Sequence, residues 1–200
     1  IDFINRIETS QDLQNAGFIG VNSDASPDEK IIAFFGRANL TVNDAIFVNA
    51  SLRREGSTKL GEGNQWGLFP SFGLGVDINK YAKISALDVL KLRVGYGVTG
   101  SLPTQNGLSK AIRGVVNGPD GSVTTNLVRA ANPDLKWEEK GETNIGLEVA
   151  AGKFNATLEL YNRDIKDFIL ERVVDVAIFG VGRRIENAGK LNTKGVELAL

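Results

Sequence analysis

Trp66-Gly67-Leu68-Phe69-Pro70-Ser71-Phe72-Gly73-Leu74-Gly75-Val76-Asp77-Ile78 carries the reading of the fold. Every second residue is apolar: Trp66, Leu68, Pro70, Phe72, Leu74, Val76 and Ile78. Those between are small or polar, with Phe69 the single exception. A period of two sends alternate side chains to opposite faces of a β-strand. Strands in soluble domains run about five or six residues. One that crosses a bilayer needs about nine to eleven, tilted, and this run is long enough to do so.

The alternation returns six more times. Ile32, Phe34, Ala38 and Leu40 share one parity, although Ile31, Ala33 and Phe35 blur it. Ile46, Val48, Ala50 and Leu52 follow, then Leu92, Val94, Tyr96 and Val98. Ile145, Leu147 and Val149 come next, then Phe154, Ala156, Leu158 and Leu160, and finally Val196, Leu198 and Leu200. Short connections follow the first, third and fifth strands: Thr41 to Asp44, Asn79 to Asp88, and Ala151 to Lys153. Asn-Asp and Gly-Lys suit tight hairpins, and residues 79–88 have room for a helical turn around Ile84, Leu87 and Leu90. Long connections follow the even strands: Gly56 to Gln65, Gly100 to Glu138, and Asp164 to Leu191.

Short turns at one end and long loops at the other characterise an outer-membrane barrel. The fold class is therefore all-β, an antiparallel transmembrane barrel wall of about seven strands. Trp66 and Tyr96 fall on the lipid-facing parity near the outer interface, as an aromatic girdle requires; two ordinary core aromatics are the plainer alternative. Unpaired backbone in hydrocarbon costs several kcal/mol, so strands cross only as closed barrels. Seven strands are an odd number, and both chain ends read as cuts in a longer chain. Residues 1–29 read as an extracellular loop or irregular segment, and residues 30–200 as part of the barrel. Pro70 cannot donate to a ladder, which predicts a bulge or an interrupted pair there.

Composition limits the function classes. The 200 residues carry a net charge of −1, with no basic footprint for nucleic acid. Cysteine, histidine and methionine are absent, which removes thiol chemistry, the commonest general base and the commonest metal ligand. No run approaches the roughly 20 apolar residues of a transmembrane helix, but an alternating barrel strand never would.

Several segments together resemble the SusC/RagA family of TonB-dependent outer-membrane transporters of Bacteroidetes. The clearest is Ala131-Asn132-Pro133-Asp134-Leu135-Lys136-Trp137-Glu138, followed by Thr143-Asn144-Ile145-Gly146-Leu147. Phe35-Gly36-Arg37-Ala38-Asn39, Ser51-Leu52-Arg53-Arg54-Glu55-Gly56-Ser57 and Trp66-Gly67-Leu68-Phe69-Pro70-Ser71 belong to the set. So do Leu90 to Gly100 and Asn192 to Leu198. Glu55 stands where the family often has aspartate. The resemblance implies a 22-stranded barrel with an internal plug, in the outer membrane of a Gram-negative cell. It also implies import of glycans, oligosaccharides or peptides with a SusD-like surface lipoprotein, energised through TonB by parts outside this chain.

Candidate residues follow from the faces. Arg37, Arg53, Glu55, Arg93, Lys140, Glu142, Glu159 and Arg163 lie on the polar parity and are candidates for contact with substrate or plug. Charge pairing between neighbouring strands is the structural alternative. Glu138 and Glu139 point to opposite faces if the strand has begun there, which suits a solvated strand end better than a glycosidase pair. Asp120 and Asp134 lack calcium-loop spacing. Gly95-Tyr96-Gly97-Val98-Thr99-Gly100 ends a strand with no helix after it, so it is a place for close packing rather than a nucleotide loop. No catalytic, cofactor or metal residue is assigned. Two other readings remain: a structural or adhesive barrel without a plug, and a soluble carbohydrate-binding sandwich. The sandwich requires strands of about five residues, with the apolar parity buried against a second sheet.

Overall fold

The computed structural model describes residues 29–119 and 121–200. The expected irregular segment 1–29 therefore lies, except for Glu29, outside the described residues, as does Asp120. In chain order the elements are β1 (Ile31–Val42), β2 (Ile46–Ser57), β3 (Trp66–Asp77), α1 (Asn79–Ala82), β4 (Val89–Ser101), β5 (Ile112–Asn117) and β6 (Val123–Arg129). There follow β7 (Glu138–Ala151), β8 (Phe154–Lys166), β9 (Ile169–Val173), α2 (Val176–Phe179), β10 (Arg183–Asn187) and β11 (Lys190–Ala199).

Seven long strands make one antiparallel sheet in the order β1-β2-β3-β4-β7-β8-β11. They run from 10 to 14 residues, roughly double the usual length in soluble domains. β5–β6 and β9–β10 are separate hairpins inside two of the long connections, which the alternation pattern did not show. The tight ends work as expected. Asn43 and Asp44 both take positive φ in the β1–β2 turn, a conformation that Asn and Asp tolerate better than most residues. Gly152 takes φ +60 in the β7–β8 turn, and its N–H donates to Asp88 Oδ2 at 2.7 Å. The expected helical turn lies earlier than Ile84, at Asn79–Ala82, while Leu90 belongs to β4.

Register places the apolar parity of all seven strands on one face. One cross-strand row reads Ile46, Val76, Leu92, Leu147, Leu158, Leu198. Many of these side chains are open: Phe34, Leu40, Leu52, Phe72, Leu160, Val196 and Leu198 are all exposed. No second sheet covers that face among the described residues, which removes the sandwich reading. A continuous apolar face of this extent marks contact with lipid or with another protein surface.

The upper edge of the apolar band steps down across the sheet. It falls from Trp66 on β3 to the row of Ile145, Leu160 and Val196 on β7, β8 and β11, whose partner on β3 is Leu74.

Pro70 interrupts pairing on one side only. The β2–β3 register passes through Leu52↔Pro70 without a shift, so there is no bulge. The β3–β4 ladder ends at Ser71↔Gly97, beside the proline that has no N–H to offer. Above that point β3 and β4 part, and Phe69 fills the opening. It is 7% exposed and meets Trp137 edge-on, with ring centroids 5.1 Å apart. The one residue that broke the alternation is thus the centre of a small buried cluster of Leu60, Phe69, Leu108, Leu135 and Trp137 at the loop end. Gly67 and Gly100 make room for its ring. A Cβ there would lie 2.4 Å and 2.3 Å from Phe69 Cζ.

Phe69→Ala should therefore lower stability by about 3 kcal/mol, measured by chemical denaturation of the complete protein in detergent. Leu68→Ala, adjacent in sequence but on the open face, should cost less than half as much.

Candidate functional site

The polar parity of the sheet forms the opposite face, and all eight candidate residues lie on it. Seven of them form ion pairs, two along a single strand and two between strands. Arg53 Nε donates to Glu55 Oε2 at 2.6 Å. Arg163 reaches Glu142 Oε2 through Nε and Nη2, each at 2.7 Å. Lys140 Nζ is 3.5 Å from Glu138 Oε1. Arg93 Nη2 meets Glu159 Oε1 at 2.7 Å, and Asn144 Nδ2 donates to Glu159 Oε2 at 3.0 Å. Arg37, opposite Ser51, has no ion-pair partner among the described residues.

The Arg93–Glu159 pair spans two strand gaps, because β7 lies between β4 and β8. Gly146 occupies the position between them, opposite both Arg93 and Glu159. A Cβ on Gly146 would lie 3.3 Å from Arg93 Nη2. The glycine lets the guanidinium cross the strand. Gly195 serves Tyr161 in the same way, since a Cβ there would stand 2.4 Å from the ring.

Glycines also hollow the middle of this face. Gly73 lies opposite Gly95, and Gly97 lies opposite both Ser71 and Glu142. They floor a concavity of about 700 Å³ walled by Asn49, Asn144, Lys140, Glu142 and Arg163. Ser51 and Ser71 share a hydroxyl hydrogen bond of 2.7 Å beside it. The set offers hydrogen-bond donors, acceptors and both charges. Of the eight candidates, Lys140, Glu142 and Arg163 line the hollow, and Arg93 and Glu159 adjoin it through Asn144. Arg37, Arg53 and Glu55 lie away towards β1 and β2.

Trp66 and Tyr96 are on the apolar face, each close to half-exposed, so neither is a core residue. Trp66 stacks on Phe34 at 6.3 Å and carries the Arg54 guanidinium 4.9 Å from its ring centre. Tyr96 lies opposite Phe72, six residues along β3 from Trp66. Trp66 tops its strand's apolar run, and Tyr96 sits one outward position below Val98.

Glu138 corrects the expectation of a solvated strand end. It is 7% exposed, and its Oε2 accepts from the Ile169 N–H at 3.1 Å. It belongs to a staple built from the whole Ala131–Glu138 segment. Leu135 is fully buried, and its carbonyl accepts from Gly61 N–H at 2.7 Å. Trp137 Nε1 donates to the Gln65 carbonyl at 2.9 Å. Asn132 Nδ2 donates to the Ile185 carbonyl, and Arg184 donates to the Ala131 carbonyl and to Asn132 Oδ1. Asn187 holds both the N–H and the carbonyl of Lys136. The segment thus ties the β2–β3 loop and the β9–β10 hairpin to the head of β7.

The Arg93–Glu159 pair is partly exposed, so its coupling should be small. A double-mutant cycle of Arg93→Gln and Glu159→Gln should give below about 1 kcal/mol. Gly146→Val, which blocks the path of Arg93, should abolish that coupling.

Known proteins share this architecture. The family model for the TonB dependent receptor-like β-barrel matches residues 2–200. The TonB-dependent receptor SusC of Bacteroides thetaiotaomicron is 28% identical over 182 residues, which is 85% of this chain and 18% of SusC. TonB-dependent receptor P26 of Formosa agariphila is 28% identical over 180 residues, 86% of this chain and 18% of P26. A structure of the RagAB peptide transporter superposes with a TM-score of 0.78 at 29% identity, covering 93% of this chain and 22% of that one. The siderophore receptor PirA from Pseudomonas aeruginosa has a TM-score of 0.59 at 16% identity, covers 85% of this chain and 30% of that one, and shares the fold alone. This chain spans about a fifth of the length of the curated relatives. The sheet with one open apolar face and these matches place the chain in the TonB-dependent receptor β-barrel family, as a SusC/RagA-like stretch of barrel wall.

Proposed function

We propose that this stretch of wall serves an outer-membrane importer of glycans, oligosaccharides or peptides that works with a SusD-like surface lipoprotein and draws energy through TonB. The carrying observation is the two-faced sheet. Its open face is apolar in every strand, as a lipid contact requires, and its other face is polar, charge-paired and hollowed. A water-filled or plug-filled lumen needs the second face, and a bilayer needs the first. SusC and the RagAB peptide transporter support the reading through sequence and fold.

In this reading the hollow around Lys140, Glu142 and Arg163 faces the plug or passing cargo. Paired charges there hold the wall's polar surface in place, and glycines leave room for close approach. Arg37, Arg53, Glu55, Arg93 and Glu159 extend the same surface. Trp66 and Tyr96 belong to the aromatic boundary of the lipid band. The loops stapled by Ala131–Glu138 supply the ordered outer rim that a lipoprotein lid needs.

The complete gene product should fractionate with outer membranes and migrate faster on gels before boiling than after. A deletion strain should lose growth on one oligosaccharide or peptide source, and loss of TonB should reproduce that defect. Uptake that is intact without TonB would overturn the transport reading. Charge reversal at Glu142 and Arg163 together should preserve the fold and reduce uptake several-fold. Unchanged uptake would remove the hollow from the cargo path.

A further inference from the structure

A second cavity lies away from the polar sheet face, between the two loop-end hairpins. It has a volume of about 430 Å³. Ile112, Val128, Val181 and Ile185 give it apolar walls, and Arg129, Arg183 and Arg184 line it with a single carboxylate, Glu171. The hairpins are in contact beside it, since a Cβ on Gly180 would lie 3.1 Å from Leu127 Cδ2.

The three arginines are not equivalent. Arg183 pairs with Glu171 at 2.9 Å. Arg184 is committed to Glu186, to the Ala131 carbonyl and to Asn132. Glu186 also holds Arg172 at 2.9 Å. Arg129 has no carboxylate partner among the described residues. Its Nη2 donates to the Gly107 carbonyl at 2.7 Å, and its Nε is buried with no hydrogen-bond acceptor. Burial pushes this guanidinium below the usual arginine range. Desolvation disfavours a charge that nothing neutralises, and an unpaired partly buried cation is costly. An incoming carboxylate would meet a planar donor group suited to it.

We propose that this cleft is a binding site for a small amphiphilic carboxylate, whose anion pairs with Arg129 and whose apolar body packs against Ile112, Val128, Val181 and Ile185. Selectivity follows from both halves of the cleft. A neutral amide of the same shape leaves the guanidinium unpaired, and a bare anion leaves the apolar walls wet. The site needs no transport to be read, so its failure and that of the import reading are separate outcomes.

The test is a fluorescence titration of the complete protein in detergent with dansyl-leucine and with dansyl-leucinamide. The acid should bind at least tenfold more tightly than the amide, and that preference should shrink as salt rises. Arg129→Gln should weaken acid binding at least tenfold and erase the preference. Val181→Asp keeps Arg129 and its bond to Gly107 but adds an anion at the cleft, and it should give the same loss. Lys153→Gln, in the β7–β8 turn at the other end of the sheet, should leave both affinities unchanged. Heat-modifiable gel mobility reports folding of each variant, and Val181→Asp decides the matter if Arg129→Gln does not fold. Equal affinity for acid and amide, or acid binding untouched by Val181→Asp, would overturn the proposal.

Discussion

Backbone N–H and C=O groups inside a bilayer have no water to bond, and this constraint governs the sheet. A strand there must be paired along both sides. The long strands accordingly run through 10 to 14 residues with an unshifted register along each of the main-sheet ladders. Hairpins at the short-turn end use residues that accept left-handed backbone, so the chain reverses with few unpaired groups. β1 and β11 carry the sheet's outer edges among the described residues, and those edges are what a neighbouring stretch of wall would pair with.

The exception at Pro70 shows how the constraint is relaxed where it no longer binds. Pairing between β3 and β4 lapses there, at the loop end, and an aromatic cluster replaces it. Phe69, Trp137 and Leu135 exchange ladder bonds for burial, and the carbonyls of Gln65 and Leu135 are taken up by Trp137 and Gly61. Ladder hydrogen bonds hold the wall, and a conventional hydrophobic core holds the loops above it. The Ala131–Glu138 segment joins the two regimes. Its role is to order a rim, and ordered loops on a rigid frame are where recognition concentrates.

Much of the wall was legible from residues alone. Seven runs of alternation become the seven long strands, and the short and long connections fall where the pattern puts them. Period-two patterning survives because each side chain meets one of two sharply different environments. The hairpins β5–β6 and β9–β10 were not legible. Their strands are short, and their apolar residues, such as Val115, Val116 and Val173, are exposed rather than sorted onto two faces. The burial of Glu138 is hidden for a related reason. Its burial comes from residues near 169 and 185, far along the chain, and a strand pattern carries no trace of them. The place of Arg129 is hidden too, because only the packing of two hairpins sets it at a cleft with no carboxylate partner among the described residues.

The sequence by itself determined the class of fold, the two faces, the end at which the loops gather and the family. These follow from local spacing and from motifs that survive reading in one dimension. Tertiary structure decided which charges meet, because Arg93 reaches Glu159 only across the gap that Gly146 leaves in the strand between them. It also decided that Phe69 is buried, that Pro70 breaks one ladder and spares the other, and that Arg129 faces a cleft. Each depends on register between strands distant in sequence, and on volume excluded or left open by neighbours, which no single strand encodes.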